Sequence, residues 1–581
     1  MIDRARAWLD GPTAARLRGE IDRLRQRPRI LAAASGILIA LAQPPFGVLP
    51  GLLGYALLLF ALEQDFGARP RRDVFFAGWL AGFCYFLVSC FWVAEAFLVD
   101  AATYGWMAPF AATLLPSGIG LFWGAFALLY RQFRSEGAHR YLLFTGLFCL
   151  FEVLRGTILS GFPWNPAGST WKAGSAMSQM AAYVGVYGLS FITVLIFSAV
   201  AVVQPKKGLK GWWPVLFGAG LWVTCFAAGE MRLMTTRIQS SELVVRVVQP
   251  AVSQRAKWTR GAFDEIFTDY VAMTKAPSKP GGGVVKWPAA TPSDLVDAPL
   301  RPDAQAPQVV IWPEGALPST ANDLFASDSW TAPVLSTMLR ENQSLIIGVT
   351  RQEAQPDSRW LWRNSMLVLR QSGDTTIIEG AYDKFKLVPF GEFTPVAPVL
   401  NALGFSALTH FDDSFTPGKR TRPVQFASIP RFLPLICYEG IFPSLDMTTY
   451  SGDNDPYRPH WIVNISNDAW FGPTTGPQQH LNLASYRAIE EGLPMIRSTP
   501  TGISVLVDPL GRVVEGYRLA TGERGYMDSI IPQRVKQTPY STLRMLVFIL
   551  LYLFPLFVFT FDTFICMIKK DRSGVFFGRC E

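Results

Sequence analysis

The sequence predicts a multi-pass α-helical membrane bundle of about eight transmembrane helices, joined to a large extracytoplasmic α/β domain. Three observations predict it. Half of the 581 residues are hydrophobic and only 17% are charged. Apolar runs of membrane length are confined to the two ends of the chain, and basic residues alternate between the loops that join them. The composition is too apolar for an ordinary soluble chain and too charged for a bundle alone, so the chain is divided between lipid and water.

A helix that crosses a bilayer needs ~20 mostly apolar residues. Eight stretches approach or reach that length, at 30–46, 48–63, 74–97, 105–130, 141–155, 176–203, 211–228 and 544–568. The first two are short and are separated by a Pro-Pro-Phe-Gly turn; the fifth carries Glu152 and Arg155. The division is therefore a basic segment at 1–29, seven helices within 30–228, a domain of ordinary polarity at 229–543, an eighth helix at 544–568 and a tail at 569–581.

Orientation follows from Lys and Arg in the short loops. The segment to residue 29 holds eight arginines, "GARPRRD", "RQFRSEGAHR" and "QPKKGLK" hold three basic residues each, and the tail holds four. The connections near 44–50 and 98–106 hold none, and 156–175 holds only Lys172. This alternation predicts both termini in the cytoplasm and the domain outside. A cleaved leader is the rival reading of the first span, but the alternation requires that span to be retained. The net charge of +8 is mainly this topology signal, and no nucleic-acid partner is needed to explain it.

The outer domain opens with the β-branched run "ELVVRVVQP" at 242–250, a buried strand, followed by a helical stretch from Ser253 to Ala276. Residues 276–308 are rich in Pro, Gly and Ala without periodicity and read as a disordered surface insert. Next come strand "VVIWPEG", a helix near 331–342 and strand "SLIIGVT". A hairpin of "NSMLVLR" and "TIIEGAYDKF" turns across Gln371–Asp374. Strands "FLPLICYE" and "HWIVNISND", helix "QQHLNLASYRAIEEG" and the pair "GISVLVD-PLG-RVVEGYR" complete an α/β sandwich. No glycine-rich phosphate loop or metal-ligand spacing is present, and the domain's histidines are only His410, His460 and His480. No metal and no cofactor is called for.

Of seven cysteines, Cys84, Cys90, Cys149, Cys225 and Cys566 lie in apolar spans, where a thiol is a small filler, and Cys580 lies in the tail. Cys437 stands alone in a compartment where thiols normally pair. A lone cysteine is ordinarily a buried structural thiol; a nucleophile needs company. Two other strands end in reactive side chains, Glu314 after "VVIWP" and Lys384 in "YDKFKLVPFGE". Strand carboxyl ends are where an open α/β sheet presents side chains to ligand. A carboxylate raised in pKa by burial takes a thiol proton, and a fixed lysine stabilises an oxyanion. Lys384 and Lys386 lie on the same strand face, so periodicity does not choose between them.

"WPEGALP", "YDKFKLVPFGE" and "ICYEG", in that order, resemble the Glu-Lys-Cys segments of the nitrilase superfamily, whose fold is an α-β-β-α sandwich. "VVQPAVSQRAKW", "RNSMLVL", "KLVPFGEFTP", "SNDAWFGPTTGPQQHL" and "MIRSTPTGISVLVDPLG" resemble the soluble domain of its membrane-embedded branch, the apolipoprotein N-acyltransferase family. "QPPFG" and "SGFPWNPAG" resemble that family's membrane part. The resemblance spans nearly the whole chain, the arginine-rich start and the 276–308 insert excepted.

It implies that Glu314 is the general base, Lys384 rather than Lys386 the oxyanion stabiliser and Cys437 the nucleophile. It further implies that Glu392 supports Lys384, that Tyr438 and Glu439 support the nucleophile, and that Trp258 and Asn364 line the pocket. The implied reaction moves an acyl chain from a phospholipid to Cys437, then to the α-amine of an S-diacylglyceryl apolipoprotein, with membrane lipid as the medium. Apolar loop residues Val399, Leu400, Leu403, Phe405, Leu408 and Phe411, with Trp470 and Phe471, face either lipid or the domain interior. A tethered small-amide hydrolase and an inactive binding domain are the rival functions; the former would survive loss of residues 1–228.

Overall fold

The computed structural model describes residues 25–134, 137–259, 261–288, 291, 299–300, 302–326, 328–356, 360–373, 375–394, 414–443, 448 and 450–573, without the side chains of 561–573. The apolar loop at 399–411 lies outside the described residues.

The helical part comprises α1 (Pro28–Ala42), α2 (Gly54–Leu62), α3 (Pro70–Cys90), α4 (Ala108–Phe133), α5 (Arg140–Thr157), α6 (Ala181–Ser198) and α7 (Trp213–Thr235). With their flanking turns, five stretches among the described residues are long and apolar enough to cross a membrane. They are Pro70–Leu98, Ala101–Phe133, Met177–Val202, Pro205–Thr235 and Pro539–Thr560. The first two expected spans are the shorter apolar helices Pro28–Ala42 and Leu49–Leu62. The fifth, α5, carries the buried ion pair Arg155 Nη2–Glu152 Oε2 at 2.7 Å. A charge pair this deep costs desolvation and persists only when its remaining donors are satisfied. Here Arg155 also donates to the carbonyls of Phe162 and Trp164, so it holds the loop that follows α5.

The remaining elements are β1 (Ser240–Gln249), α8 (Ala262–Lys275), β2 (Gly283–Lys286), β3 (Val309–Trp312), α9 (Thr331–Met338), β4 (Ser344–Ala354), β5 (Trp360–Ser372) and β6 (Thr375–Asp383). They continue with β7 (Val424–Phe426), β8 (Ile429–Ile436), β9 (Trp461–Ile465), α10 (Gly476–Glu491), β10 (Met495–Ser498), β11 (Ser504–Val507), β12 (Val513–Leu519), β13 (Gly525–Pro532) and α11 (Pro539–Ser573). Two sheets result, ordered β2-β13-β1-β3-β4-β5-β6 and β12-β11-β10-β9-β8-β7.

The period-2 alternation of each strand sorts its side chains into layers. Val245, Val247, Ile311, Ile346 and Met366 of the first sheet meet Phe432, Ile436, Val463 and Ile496 of the second in one core between the sheets. The opposite face of the first sheet, with Val310, Trp312, Leu345 and Ile347, is covered by α8 and α9. Arg246 on that face is fully buried and donates to the Met273 and Thr274 carbonyls at the end of α8 while paired with Asp528 at 2.7 Å. Its charge thus satisfies a helix C-terminus. The opposite face of the second sheet, with Leu433, Leu435, Met495 and Val505, packs with α10 into a core continuous with the helical part. This is the expected α-β-β-α sandwich.

One expectation is corrected. Within 276–308, read as a disordered insert, Gly283–Lys286 forms the edge strand β2, antiparallel to β13. Gly281, Gly282 and Gly283 all take positive φ, so the glycine run makes the turn into the strand. Residues 289–290, 292–298 and 301 lie outside the described residues.

Candidate active site

Three strand ends converge. Glu314 follows β3 by way of Pro313, Lys384 directly follows β6, and Cys437 directly follows β8. The Glu314 segment crosses over β4 at Gly348, where a Cβ would lie 2.4 Å from the Pro313 carbonyl oxygen and 2.5 Å from Glu314 Cα. Glycine is required there by contact. Cys437 takes φ +50, a left-handed conformation uncommon for a side chain with a Cβ, so the sulfur sits at a sharp turn leaving β8.

Lys384 is 1% exposed and its Nζ donates to Glu314 Oε1 at 3.1 Å and Glu392 Oε1 at 2.9 Å. Asn364 on β5 bridges the same two carboxylates, its Nδ2 donating to each at 2.8 Å. Glu392 is completed by the Val388 N–H at 2.8 Å. Burial depresses the Lys384 ammonium, but the charges of Glu314 and Glu392 outweigh it and hold the group protonated well above the usual lysine range.

Glu314 departs from expectation. Burial raises its carboxyl, as foreseen, yet the Lys384 charge, the donors Asn364 and Lys384 and the Cys437 thiol together bring it below the usual carboxylate range. Its Oε2 is buried without a hydrogen bond of ordinary geometry. Burial, with the Glu314 charge added, pushes the Cys437 thiol up to about 12 against the opposing pull of Lys384. The resting pair is therefore thiol and carboxylate.

Glu439 ties two of the strand ends together. Its Oε1 accepts from Tyr382 Oη and the Phe385 N–H, each at 2.8 Å, and its Oε2 accepts from the Ile436 N–H at 2.7 Å. The Cys437 turn and the Lys384 strand end are thus fixed to one carboxyl group, which burial pushes up to about 7. Tyr438 Oη donates to the Gly161 carbonyl at 2.8 Å, joining the residue beside the sulfur to the loop after α5.

The other expected residues separate. Asn364 lies at the centre of the cluster. Trp258 is 67% exposed, its ring centroid 5.8 Å from the Lys257 ammonium. Trp470 is 41% exposed, whereas Phe471 packs edge-on against Trp92 and His480. Lys386 is half-buried and lies over the Phe442 ring, whereas Lys384 lies between Glu314 and Glu392.

Two features escaped sequence reasoning. Lys257 is buried, donates to the Gly315 carbonyl, and is depressed to about 8 by burial, with Glu314 opposing. His480, set aside with the other histidines, is buried with its Nε2 3.2 Å from the Cys437 carbonyl oxygen. Its Nδ1 meets Asp468 Oδ1 at 3.0 Å and Arg497 Nη2 at 3.1 Å. Burial and the Arg497 charge depress this imidazole, against the opposing pull of Asp468 and the Cys437 carbonyl, and the ring is clamped between those two acceptors. The "SNDAW" segment carries the Asp468 signal, but nothing local links it to residue 480. Among the described residues no group of three His, Cys, Asp or Glu side chains is placed to hold a metal ion.

A two-sheet sandwich with a buried Glu–Lys–Cys cluster, fused to apolar helices, defines a carbon-nitrogen-hydrolase-type enzyme built into a membrane protein. The profile described as carbon-nitrogen hydrolase matches residues 290–540, and that described as apolipoprotein N-acyltransferase N-terminal domain matches residues 35–199. An apolipoprotein N-acyltransferase of Caulobacter vibrioides is 44% identical over 539 residues, 91% of this chain and 94% of the relative. Those of Rhodopseudomonas palustris and Allorhizobium ampelinum are 32% and 34% identical, covering 88% and 85% of this chain and 91% and 88% of the relatives. The chain belongs to the apolipoprotein N-acyltransferase family.

Proposed function

We propose that this protein transfers a fatty acyl chain from a membrane phospholipid, through a thioester on Cys437, to the α-amine of the S-diacylglyceryl cysteine of an apolipoprotein. The observation that carries the reading is the buried Glu314–Lys384–Cys437 cluster at three strand ends.

In the first step the Cys437 sulfur attacks the sn-1 ester carbonyl while its proton passes to Glu314. Lys384 stabilises the oxyanion as charge develops on it. The alkoxide leaves with the proton held by Glu314, giving a lysophospholipid and the thioester. In the second step the acceptor amine attacks the thioester and yields one proton to Glu314. The thiolate leaves and recovers that proton. Glu392 and Asn364 keep Lys384 and Glu314 in register, and Glu439 and Tyr438 hold the sulfur's turn. A thioester suits this order because it yields readily to an amine.

The membrane reading supports the same conclusion. Both substrates carry acyl chains, and drawing a chain into water costs ~0.8 kcal/mol per CH₂. A site attached to the bilayer avoids most of that. We place the seven helices of 30–228 and the eighth at 544–568 in the bacterial inner membrane, both termini in the cytoplasm and the 229–543 domain in the periplasm, on the alternation of basic loops.

The test is mass spectrometry of the purified protein incubated with phospholipid alone. The expected result is an acyl mass on the peptide containing Cys437, removable by hydroxylamine. Acylation that persists in Cys437→Ala refutes the assignment.

A further inference from the structure

A cavity of about 460 Å³ is lined by Arg420, Thr421, Arg422, Pro423, Arg431, Thr448 and Tyr457, none of them acidic among the described residues. Arg420 and Arg422 are exposed, and neither they nor Arg431 has an ion-pair partner among the described residues. Arg431 is half-buried, its guanidinium lies 5.3 Å from the Tyr457 ring centroid, and its Nε is buried without an acceptor. Three guanidinium groups without an ion-pair partner among the described residues thus surround one hollow, and like charges so placed oppose one another. An anion with several acceptor oxygens relieves that repulsion and supplies the missing acceptor.

The position of the cavity narrows the choice of anion. The Asp453–Pro459 segment, which contains Tyr457, is bonded to the connection between β13 and α11. Arg534 Nη1 donates to the Arg458 carbonyl at 2.6 Å, and the Gln537 N–H donates to Asp453 Oδ1 at 2.5 Å. The helix starts at Pro539, and its first large exposed apolar side chain is Leu543. Four helical residues rise ~6 Å, about the depth of the polar headgroup layer on one side of a bilayer. The segment bordering the cavity therefore lies at headgroup level.

Thr421 in the wall bonds Tyr382, the partner of Glu439, at 2.6 Å, but the Arg431 end of the cavity lies apart from the reacting sulfur. Arg431 and Cys437 are six residues apart along β8 and its end, or ~20 Å of extended chain. In a glycerophospholipid the phosphate and the sn-1 ester are separated only by the glycerol backbone. One lipid does not span both places.

We propose that this cavity is a phosphate-headgroup site that seats an anionic phospholipid beside the catalytic domain, distinct from the lipid undergoing reaction. The proposal rests on the membrane reading above and not on the thioester chemistry. The bound lipid fixes the domain's rim against the bilayer surface by pairing its phosphodiester with the three arginines.

The experiment is a binding titration of full-length protein in detergent with short-chain phosphatidylglycerol, phosphatidylcholine and inorganic phosphate. Phosphatidylglycerol is expected to bind most tightly, weakening about fivefold for each of Arg420, Arg422 and Arg431 replaced by Gln and about a hundredfold for the triple replacement. The triple Lys variant is expected to keep most of the affinity. Acylation of Cys437 by excess donor lipid is expected to be unchanged in every variant. Inorganic phosphate binding as tightly as the lipid overturns the lipid assignment. An unaltered affinity in the triple Gln variant, equal loss in the triple Lys variant, or loss of Cys437 acylation along with binding each overturns the proposal.

Discussion

At the scale of single residues, the resting charges decide how the site works. Lys384 is pinned between two carboxylates, and its charge keeps Glu314 ionised despite burial. In the proposed mechanism, replacing it with methionine removes the oxyanion's partner and leaves burial to raise Glu314. The expected result is a fall in kcat of about 10²–10³. The residual activity is expected to climb with pH across the neutral range, because the base is then ionised only at higher pH. A pH–rate profile of Lys384→Met checks this; a flat profile contradicts it. Glu439 carries a pH dependence of stability. Its folded pKa, pushed up to about 7 by burial, exceeds the unfolded value of about 4.3. The folded state keeps a proton that the unfolded state has lost, so stability falls as pH rises through this range. From pH 6.5 to 8 the loss is about 1 kcal/mol for this group. In Glu439→Gln the apparent Tm is expected to be lower overall, since a carboxamide offers one acceptor where three backbone N–H groups converge. The drop between the two pH values is expected to shrink, the remainder coming from Glu490, which burial also raises to about 7.

At the scale of elements, the strand ends are what place the chemistry. Gly348 on β4 leaves room for the Glu314 segment to pass, with less than a methyl group's clearance. Gly348→Ala is expected to keep both sheets, seen as unchanged circular dichroism, while kcat falls at least tenfold through displacement of Glu314. Unchanged kcat contradicts this role. The strands β3, β6 and β8 were legible because each ends an apolar run at a short reactive motif. The choice of Lys384 over Lys386 was not legible from alternation, which puts both on one face; the Phe442 ring under Lys386 settles their surroundings in the fold. β2 was hidden because four residues among Gly and Pro carry no period, and its partner β13 lies some 240 residues further on. His480 was hidden for a similar reason, since its contact to Cys437 spans 43 residues. Helix α10 was legible as a helix but not as an interior one. Fourteen of its sixteen residues are buried, including Gln479, Asn482 and Glu490, which a sequence pattern assigns to solvent.

At the scale of the whole molecule, those buried polar groups join the catalytic domain to the helices. Gln479 Oε1 accepts from Trp92 and Trp164, Asn482 bonds the Ser169 carbonyl and the Ala173 N–H, and Glu490 Oε1 accepts from the Val186 N–H at 2.8 Å. Cutting the chain between these parts leaves polar groups unpaired and the outer face of the second sheet bare. Residues 236–538 expressed alone are therefore expected to aggregate and to lack acyl transfer, measured by size-exclusion chromatography and by the thioester assay. A soluble, active fragment contradicts this and favours a tethered hydrolase.

The hydrogen bond from Tyr438 to the loop after α5 has a consequence for geometry in the bilayer. The residue next to the sulfur is bolted to a loop that Arg155 anchors within the helices, so the altitude of the thiol is set by those helices. Lengthening the two connections that enter and leave the sandwich slackens the chain without lifting the sulfur. Lipid must come to a fixed depth to react.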